Sequence, residues 1–224
     1  MSLADGRDLR ERLATEVRQI CRFLLKPGDG QAFLRIAKQV ESITDAIEIV
    51  QRPAFATGLN SSSVVKDPFD VLEFSTLSSQ RSPVTGRYNP VAPPATIRVD
   101  TSVDGLPRVV GDVKFDVVHE CVSGFVHGGM IAQLFDGVLG AANVAADSPG
   151  MTGTMTVRFH RPTPSCQDLK IVAVCQRRDG RKIFSWAGLF RGEEIMAEAD
   201  GLFIDVSSIG FRGIAQRNAS DGER

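Results

Sequence analysis

The sequence predicts an α+β fold in which an antiparallel β-sheet wraps a long central helix, with a helical hairpin in front of it. Three observations predict this. Apolar residues recur at three- and four-residue steps over the first fifty positions, and after Ala95 the period changes to two. Between the strands runs one apolar stretch, residues 130–142, too long for a strand. At 224 residues with 42% hydrophobic content, the chain can bury a full core as one main domain.

The hairpin comes first. Leu9, Leu13, Val17, Ile20 and Leu24 form one helical stripe and Phe33, Ile36, Val40, Ile43, Ile47 and Val50 another, with Lys26-Pro27-Gly28-Asp29-Gly30 as the break. A helix pair of this size is marginal alone, so both stripes are expected to pack on the main domain or on a partner subunit. Residues 51–95 are rich in Ser, Thr and Pro. Their last part, from Ser82 through Pro83, Pro90, Pro93 and Pro94, is too proline-rich for a central strand and reads as a stiff lid or wrap, or as a solvated linker.

From residue 96 to 206 the pattern is that of a sheet. Ile97, Val99, Thr101 and Val103 alternate, then Val113, Phe115 and Val117 alternate against Asp112, Lys114 and Asp116. In residues 151–160, Met151, Gly153, Met155, Val157 and Phe159 are expected to face one way and Thr152, Thr154, Thr156, Arg158 and His160 the other. Two further strands flank Arg178-Asp179-Gly180-Arg181, where Asp-Gly suits a tight turn, and a turn at Gly192-Glu193 leads to a last strand, residues 195–206. These four strands read as a meander, followed by a polar tail, residues 207–224.

Charge and composition exclude several functions. With 26 Lys and Arg scattered against 27 Asp and Glu, there is no basic block to neutralise phosphates, so no nucleic-acid partner is expected. Cys21, Cys121, Cys166 and Cys175 lack C-x-x-C spacing and there are three histidines, so no metal site is expected, and the cysteines read as free thiols. No stretch reaches the roughly 20 apolar residues of a membrane span. The first residues, with Asp5, Arg7, Asp8, Arg10 and Glu11, lack a signal-peptide core, and the expected location is the cytoplasm.

Between Glu120 and Asp147 the one formal charge is Asp136, inside the apolar helix. Met130, Leu134, Val138 and Ala141 make one apolar stripe and Ile131, Phe135, Leu139 and Ala142 another; the remaining stripe, Gly129, Ala132, Gln133, Asp136, Gly140 and Asn143, is small or polar and reads as a pocket wall. No basic residue on the helix pairs Asp136, so a sheltered carboxylate with a raised pKa is expected to serve as a base. A carboxylate bonded to a backbone donor or a distant Arg is the other reading.

His127-Gly128-Gly129 opens the helix, where the first N–H groups are unsatisfied and able to hold an oxyanion. Asp136 lies eight residues after Gly128, about 12 Å along the axis. One helix cannot bring both to one carbonyl, so a homodimer with interfacial sites is expected.

A strand, a long helix opening on His-Gly-Gly with an aspartate nine residues after the histidine, and then more strands: this resembles the hotdog-fold acyl-CoA thioesterases of the PaaI-like group. The resemblance spans residues 82–206 and rests on Ser82-Pro83-Val84, Asn89-Pro90, Pro93-Pro94, Val126-His127-Gly128-Gly129, Asp136, Met151-Thr152 and Arg161-Pro162, which look like the mitochondrial long-chain members. It implies hydrolysis of a fatty or aryl acyl-CoA without cofactor, by a homodimer or a pair of such dimers. It implies that the Gly128 N–H polarises the thioester carbonyl, that Asp136 of the other protomer activates water or attacks directly, that Thr152 positions the water, and that His127 orients the loop. Gly129 is expected to let substrate approach the backbone. Arg178, Arg181 and Lys182 at the hairpin tip, with Arg158 and Arg161, are candidate anchors for the CoA phosphates, an ordinary solvated turn being the other reading. Cys121 stands where many relatives carry an amide, and as a small hydrophobe it is expected to be buried.

Two other functions stay open. A hotdog enoyl-CoA hydratase would need a His paired with a carboxylate. A non-catalytic acyl-CoA-binding module fits the extra hairpin and the missing amide.

Overall fold

The computed structural model describes residues 3–25, 30–50, 82–101 and 106–205. Helices α1 (Leu3–Leu24) and α2 (Gly30–Val50) precede strands β1 (Ala95–Asp100) and β2 (Arg108–Val113). A 3-10 turn (Val117–His119) and the short hairpin β3 (Glu120–Val122) and β4 (Phe125–Val126) lead into α3 (Gly128–Ala145). Strands β5 (Met151–Phe159), β6 (Leu169–Asp179), β7 (Lys182–Arg191) and β8 (Glu194–Ile204) follow. The six long strands form one antiparallel sheet in the order β1-β2-β6-β7-β8-β5. This is the hotdog arrangement, with α3 as the filling.

The reason α3 is the filling lies in its two apolar stripes. Ile131, Leu134, Phe135, Val138, Leu139 and Ala142 are buried against Val109, Ile171, Ala173, Ala187, Leu189, Ala199 and Phe203 of the sheet. Each large side chain so buried contributes roughly 1.5–3 kcal/mol of transfer free energy. Asn143, expected on the open stripe, is instead buried, and its Oδ1 accepts a hydrogen bond from the Ser185 hydroxyl of β7.

The expected four-strand meander is corrected. Strands β6, β7 and β8 do form one, with Gly180 and Gly192 at positive φ in its turns, but β5 lies beyond β8 and pairs with it. The connection from β5 to β6 contains Pro162 and Pro164, which lack the N–H groups a continuing β5-β6 ladder needs; it runs alongside β4 instead, where Val126 N–H donates to Thr163 O at 2.9 Å and Pro164 bridges Phe125. The second strand also ends earlier than its alternation suggests, at Val113, and Phe115 enters the core from the turn that follows.

The proline-rich segment is a wrap. Val84 is buried on α3, where a Cβ at Gly137 would lie 2.8 Å from Val84 Cγ1, so only glycine admits this contact. Ala92 and Pro93 are also buried. His119 holds the far end: its Nδ1 accepts from Asp116 N–H at 2.8 Å and its Nε2 lies 3.1 Å from Val91 O, as a neutral imidazole allows.

Burial pushes the His119 imidazole below its ordinary value, with Arg18 acting in the same sense and the Val91 carbonyl and Asp116 opposing. The unfolded chain therefore binds a proton that the folded chain does not, and stability is expected to fall as pH drops through and below about 6.5, until the lowered folded value is passed. Asp116 works at lower pH: burial raises its carboxyl, but the Arg22 guanidinium and the Val117 N–H outweigh that and hold it below the usual carboxylate range. Urea midpoints at pH 7 and pH 5.5 are expected to differ in wild type and to converge in His119→Gln; an unchanged slope in the variant would remove His119 as the cause.

Within one chain the hairpin buries little of its apolar stripes on the main domain. Among its described side chains Ala14 is buried, and Phe23 packs on Phe33 at a centroid distance of 5.0 Å. Leu9, Leu13, Leu24, Leu34 and Ile43 stay exposed within one chain. Attachment is polar: Arg22 pairs with Asp116 and Arg18 donates to Asn89 O at 2.9 Å. Of the other expectations, residues 51–81, the residues 102–105 that include Val103, and the tail from 206 onward lie outside the described residues. All four cysteines are free thiols, and Cys121 is exposed on β3 rather than buried, because that short hairpin stands outside the main sheet. No helix among the described residues is long and apolar enough to cross a membrane.

Candidate active site

Helix α3 opens on His127 as N-cap, with φ −62° and ψ 130°. Its imidazole Nδ1 accepts from Gly129 N–H at 2.9 Å, and Met130 N–H donates to His127 O at 2.9 Å. The second and third amides of the helix are thereby satisfied. The first, Gly128 N–H, has no hydrogen-bond partner among the described residues, and it stands at the positive end of the helix. Of the two glycine amides, Gly128 is the one open to a substrate oxygen, whereas Gly129 offers space but not its N–H.

Eight residues on, Asp136 faces away from the core and is exposed within one chain. The shelter expected from the apolar stripes is therefore not provided by this chain, because its sheet covers only the other side of α3. No basic side chain pairs Asp136 among the described residues. Its hydrogen bond comes from Thr152, whose hydroxyl donates to Oδ1 at 2.6 Å.

That contact corrects the expected facing of β5. Opposite β8, Thr152 aligns with Phe203 and Thr154 with Leu202, so Gly153 is an extra residue and the alternation resets across it. Thr152 consequently shares the helix-facing side with Met155, Val157 and Phe159, while Thr154, Thr156 and Arg158 turn outward. A bulge is invisible to a count of every second residue.

At the far end of β5, the Phe159 ring lies over Gly128: a Cβ built there would meet Cζ at 3.2 Å and Cε1 at 3.4 Å. Sequence reasoning placed Phe159 on an apolar face but did not connect it with the helix mouth. The pairing follows from the antiparallel run of α3 and β5, which sets Asp136 beside Thr152 and Gly128 beside Phe159.

The basic candidates are not brought to this place. Arg158 is on the outer face, bonded to Asp200 at 2.7 Å and 3.6 Å from Glu198. Beside it His160 contacts Glu198 at 3.1 Å. The Trp186 N–H bond to Glu198 acts first, with the neighbouring His160 and Arg158, to hold that carboxyl below the usual range. Arg161 pairs with Glu194 at 2.7 Å. Arg178 pairs with Asp205 and Arg181 donates to the Asp205 carbonyl at 3.1 Å, so both fasten the end of β8 to the hairpin. Lys182 is exposed, and through Ile204 it is in register with Met151, at the Thr152 end of the sheet.

A separate cleft of about 600 Å³ lies between α1, the wrap and β1-β2, lined by residues that include Glu11, Arg18, Arg87 and Lys114. None of the sequence-predicted site residues borders it. No three His, Cys, Asp or Glu side chains gather to hold a metal ion among the described residues.

Residues 123–198 match the family described as the thioesterase superfamily. It is similar to the acyl-coenzyme A thioesterase THEM4 of Bos taurus, 34% identical over 87 residues, covering 38% of this chain and 35% of the bovine protein. The Xenopus laevis protein of the same name is 34% identical over 85 residues, covering 37% of this chain and 38% of its own length. The match thus spans little more than a third of these relatives. A crystal structure of a thioesterase superfamily protein superposes with a TM-score of 0.72 and 29% identity, over 88% of this chain and 90% of the other.

Proposed function

We propose that this protein is an acyl-CoA thioesterase whose active site is completed across a homodimer. The observation that carries the reading is the pairing of site residues along β5. Its start touches Asp136 through Thr152 and its end touches Gly128 through Phe159. Six ladder steps separate the two, about 20 Å at roughly 3.4 Å per step. The carboxylate and the free amide of one chain, about 12 Å apart along α3, therefore serve different substrates.

Strand β5 has one edge paired to β8 and, among the described residues, one edge open. Two copies joined by that edge about a two-fold axis run antiparallel. A ladder centred on Thr156 then sets Phe159 opposite the partner subunit's Thr152, and Gly128 N–H faces the partner subunit's Asp136. The same pairing covers Met151 and Phe159, which are 41% and 54% exposed in one chain, and it supplies the shelter that Asp136 lacks alone.

In this site the thioester carbonyl oxygen accepts from Gly128 N–H, in line with the helix dipole. The carboxylate across the interface takes a proton from water, which attacks the carbonyl carbon; in the nucleophilic variant the carboxylate attacks and water resolves the anhydride. The C–S bond then breaks and the CoA thiolate leaves, taking up a proton. Thr152 fixes Oδ1 of Asp136, leaving Oδ2 to act. His127 shapes the mouth as a helix cap, its Nδ1 occupied by Gly129 N–H, and among the described residues of one chain no carboxylate pairs with it; the His160-Glu198 pair lies on the opposite face of the sheet.

Release of free thiol from a panel of acyl-CoA esters, run beside enoyl-CoA hydration, tests the reading. Thiol release alone is expected. Hydration without release would replace the thioesterase with a hydratase, and tight acyl-CoA binding without turnover would replace it with a binding module.

A further inference from the structure

The geometry points to Phe159 as the residue that selects the acyl group, a role resting on the thioesterase reading of the same site. Gly128 sits between two unlike neighbours. On one side the His127 imidazole caps Gly129, a polar and exposed surface; on the other the Phe159 ring approaches within 3.2 Å of where a Cβ would stand. A carbonyl oxygen held on Gly128 N–H has a polar flank and an apolar flank. The acyl carbons next to the carbonyl are apolar and lie over the ring, while the sulfur and its polar pantetheine arm leave past His127.

The ring is positioned for this by β5, where Met155 and Val157 on the same face pack on the core and leave Phe159, 54% exposed, as the open end of an apolar row. The ring packs directly on Gly128 and leaves no room for a chain between them, so the acyl group runs along the exposed face of the ring beside the amide. An unbranched chain lies flat on that face, and a methyl on the carbon beside the carbonyl collides with it. Phe159 thus makes the enzyme selective for straight-chain acyl thioesters over α-branched ones of the same length.

The test compares kcat/KM for octanoyl-CoA and 2-methyloctanoyl-CoA in wild type, Phe159→Leu and Phe159→Ala. One misplaced methyl in a tight pocket typically changes kcat/KM by about 10–200-fold. Wild type is expected to prefer the straight chain by at least about tenfold, Phe159→Leu less, and Phe159→Ala hardly at all. In parallel, calorimetry measures binding of the matching 2-oxoalkyl thioethers of CoA, which keep a carbonyl but cannot be hydrolysed. An equal loss for both substrates in Phe159→Ala, or a ratio unchanged from wild type, overturns the selector and leaves the thioesterase standing. Selective binding of the straight ketone, relaxed in Phe159→Ala, with no thioester hydrolysis would support the selector and overturn the hydrolase. Neither binding nor hydrolysis would overturn both.

Discussion

Homodimers of Asp136→Asn and of Gly128→Pro, each expected to turn over acyl-CoA about 10³-fold more slowly than wild type, recover activity when dissociated together and reassociated. Asparagine keeps the shape of the carboxylate and still accepts from Thr152, but it neither takes a proton from water nor attacks. Proline at position 128 removes the one N–H proposed for the oxyanion. It does so at the first helical position, where proline is favoured and where the extended ψ of 130° at His127 already suits a following proline. The proline Cβ meets the Phe159 ring, which is half exposed and yields by a few tenths of an ångström, so both variants are expected to keep the fold and the dimer, as gel filtration and circular dichroism will read. Random reassociation gives about half heterodimers. In each heterodimer one site collects both substitutions and the other collects neither, so about a quarter of wild-type activity returns. If one chain supplied both groups to a site, every site in the mixture would be defective and nothing would return.

That experiment addresses the part of the site the sequence could only imply. The helix itself was legible: Ile131, Leu134, Phe135, Val138, Leu139 and Ala142 recur at helical spacing and all are buried, and the small residues between them do form the open face. The exception, Asn143, lies at the edge of that face, and only the fold brings Ser185 of a distant strand to meet it. Asp136 shows a different limit. Periodicity assigns a residue to a face of its own helix but does not say what covers that face, and among the described residues of one chain Asp136 is left exposed. The position of β5 was half legible. Alternation found the strand, and the prolines at 162 and 164 carried a signal against a β5-β6 hairpin that the meander reading passed over. The basic residues read as phosphate anchors show why charge at a turn is weak evidence: Arg158, Arg161, Arg178 and Arg181 have partners brought from elsewhere in the sequence.

Thr152→Val is expected to lower kcat by about 10²-fold, while Thr154→Val and Thr156→Val stay within about twofold of wild type. In a regular strand the three threonines would share one face and their substitutions would have similar effects. The extra residue at Gly153 separates them, turning Thr152 onto Asp136 and leaving the other two exposed on the outer face. Valine matches threonine in shape and strand preference, so what is lost at 152 is the 2.6 Å hydrogen bond that fixes Oδ1 and with it the aim of Oδ2. The loss is expected in kcat with KM little changed, because Thr152 orients the carboxylate rather than the acyl chain. Thr152→Ser, which keeps the hydroxyl, is expected to retain most of the rate. Equal effects at all three positions would mean that β5 is regular in solution and that Thr152 does not hold the carboxylate. A fall confined to position 152 would tie the one irregularity in the strand to the chemistry at α3, and would explain why a glycine, able to sit where a side chain would meet Ile204 Cγ1 and Leu202 O at 3.3 Å, occupies position 153.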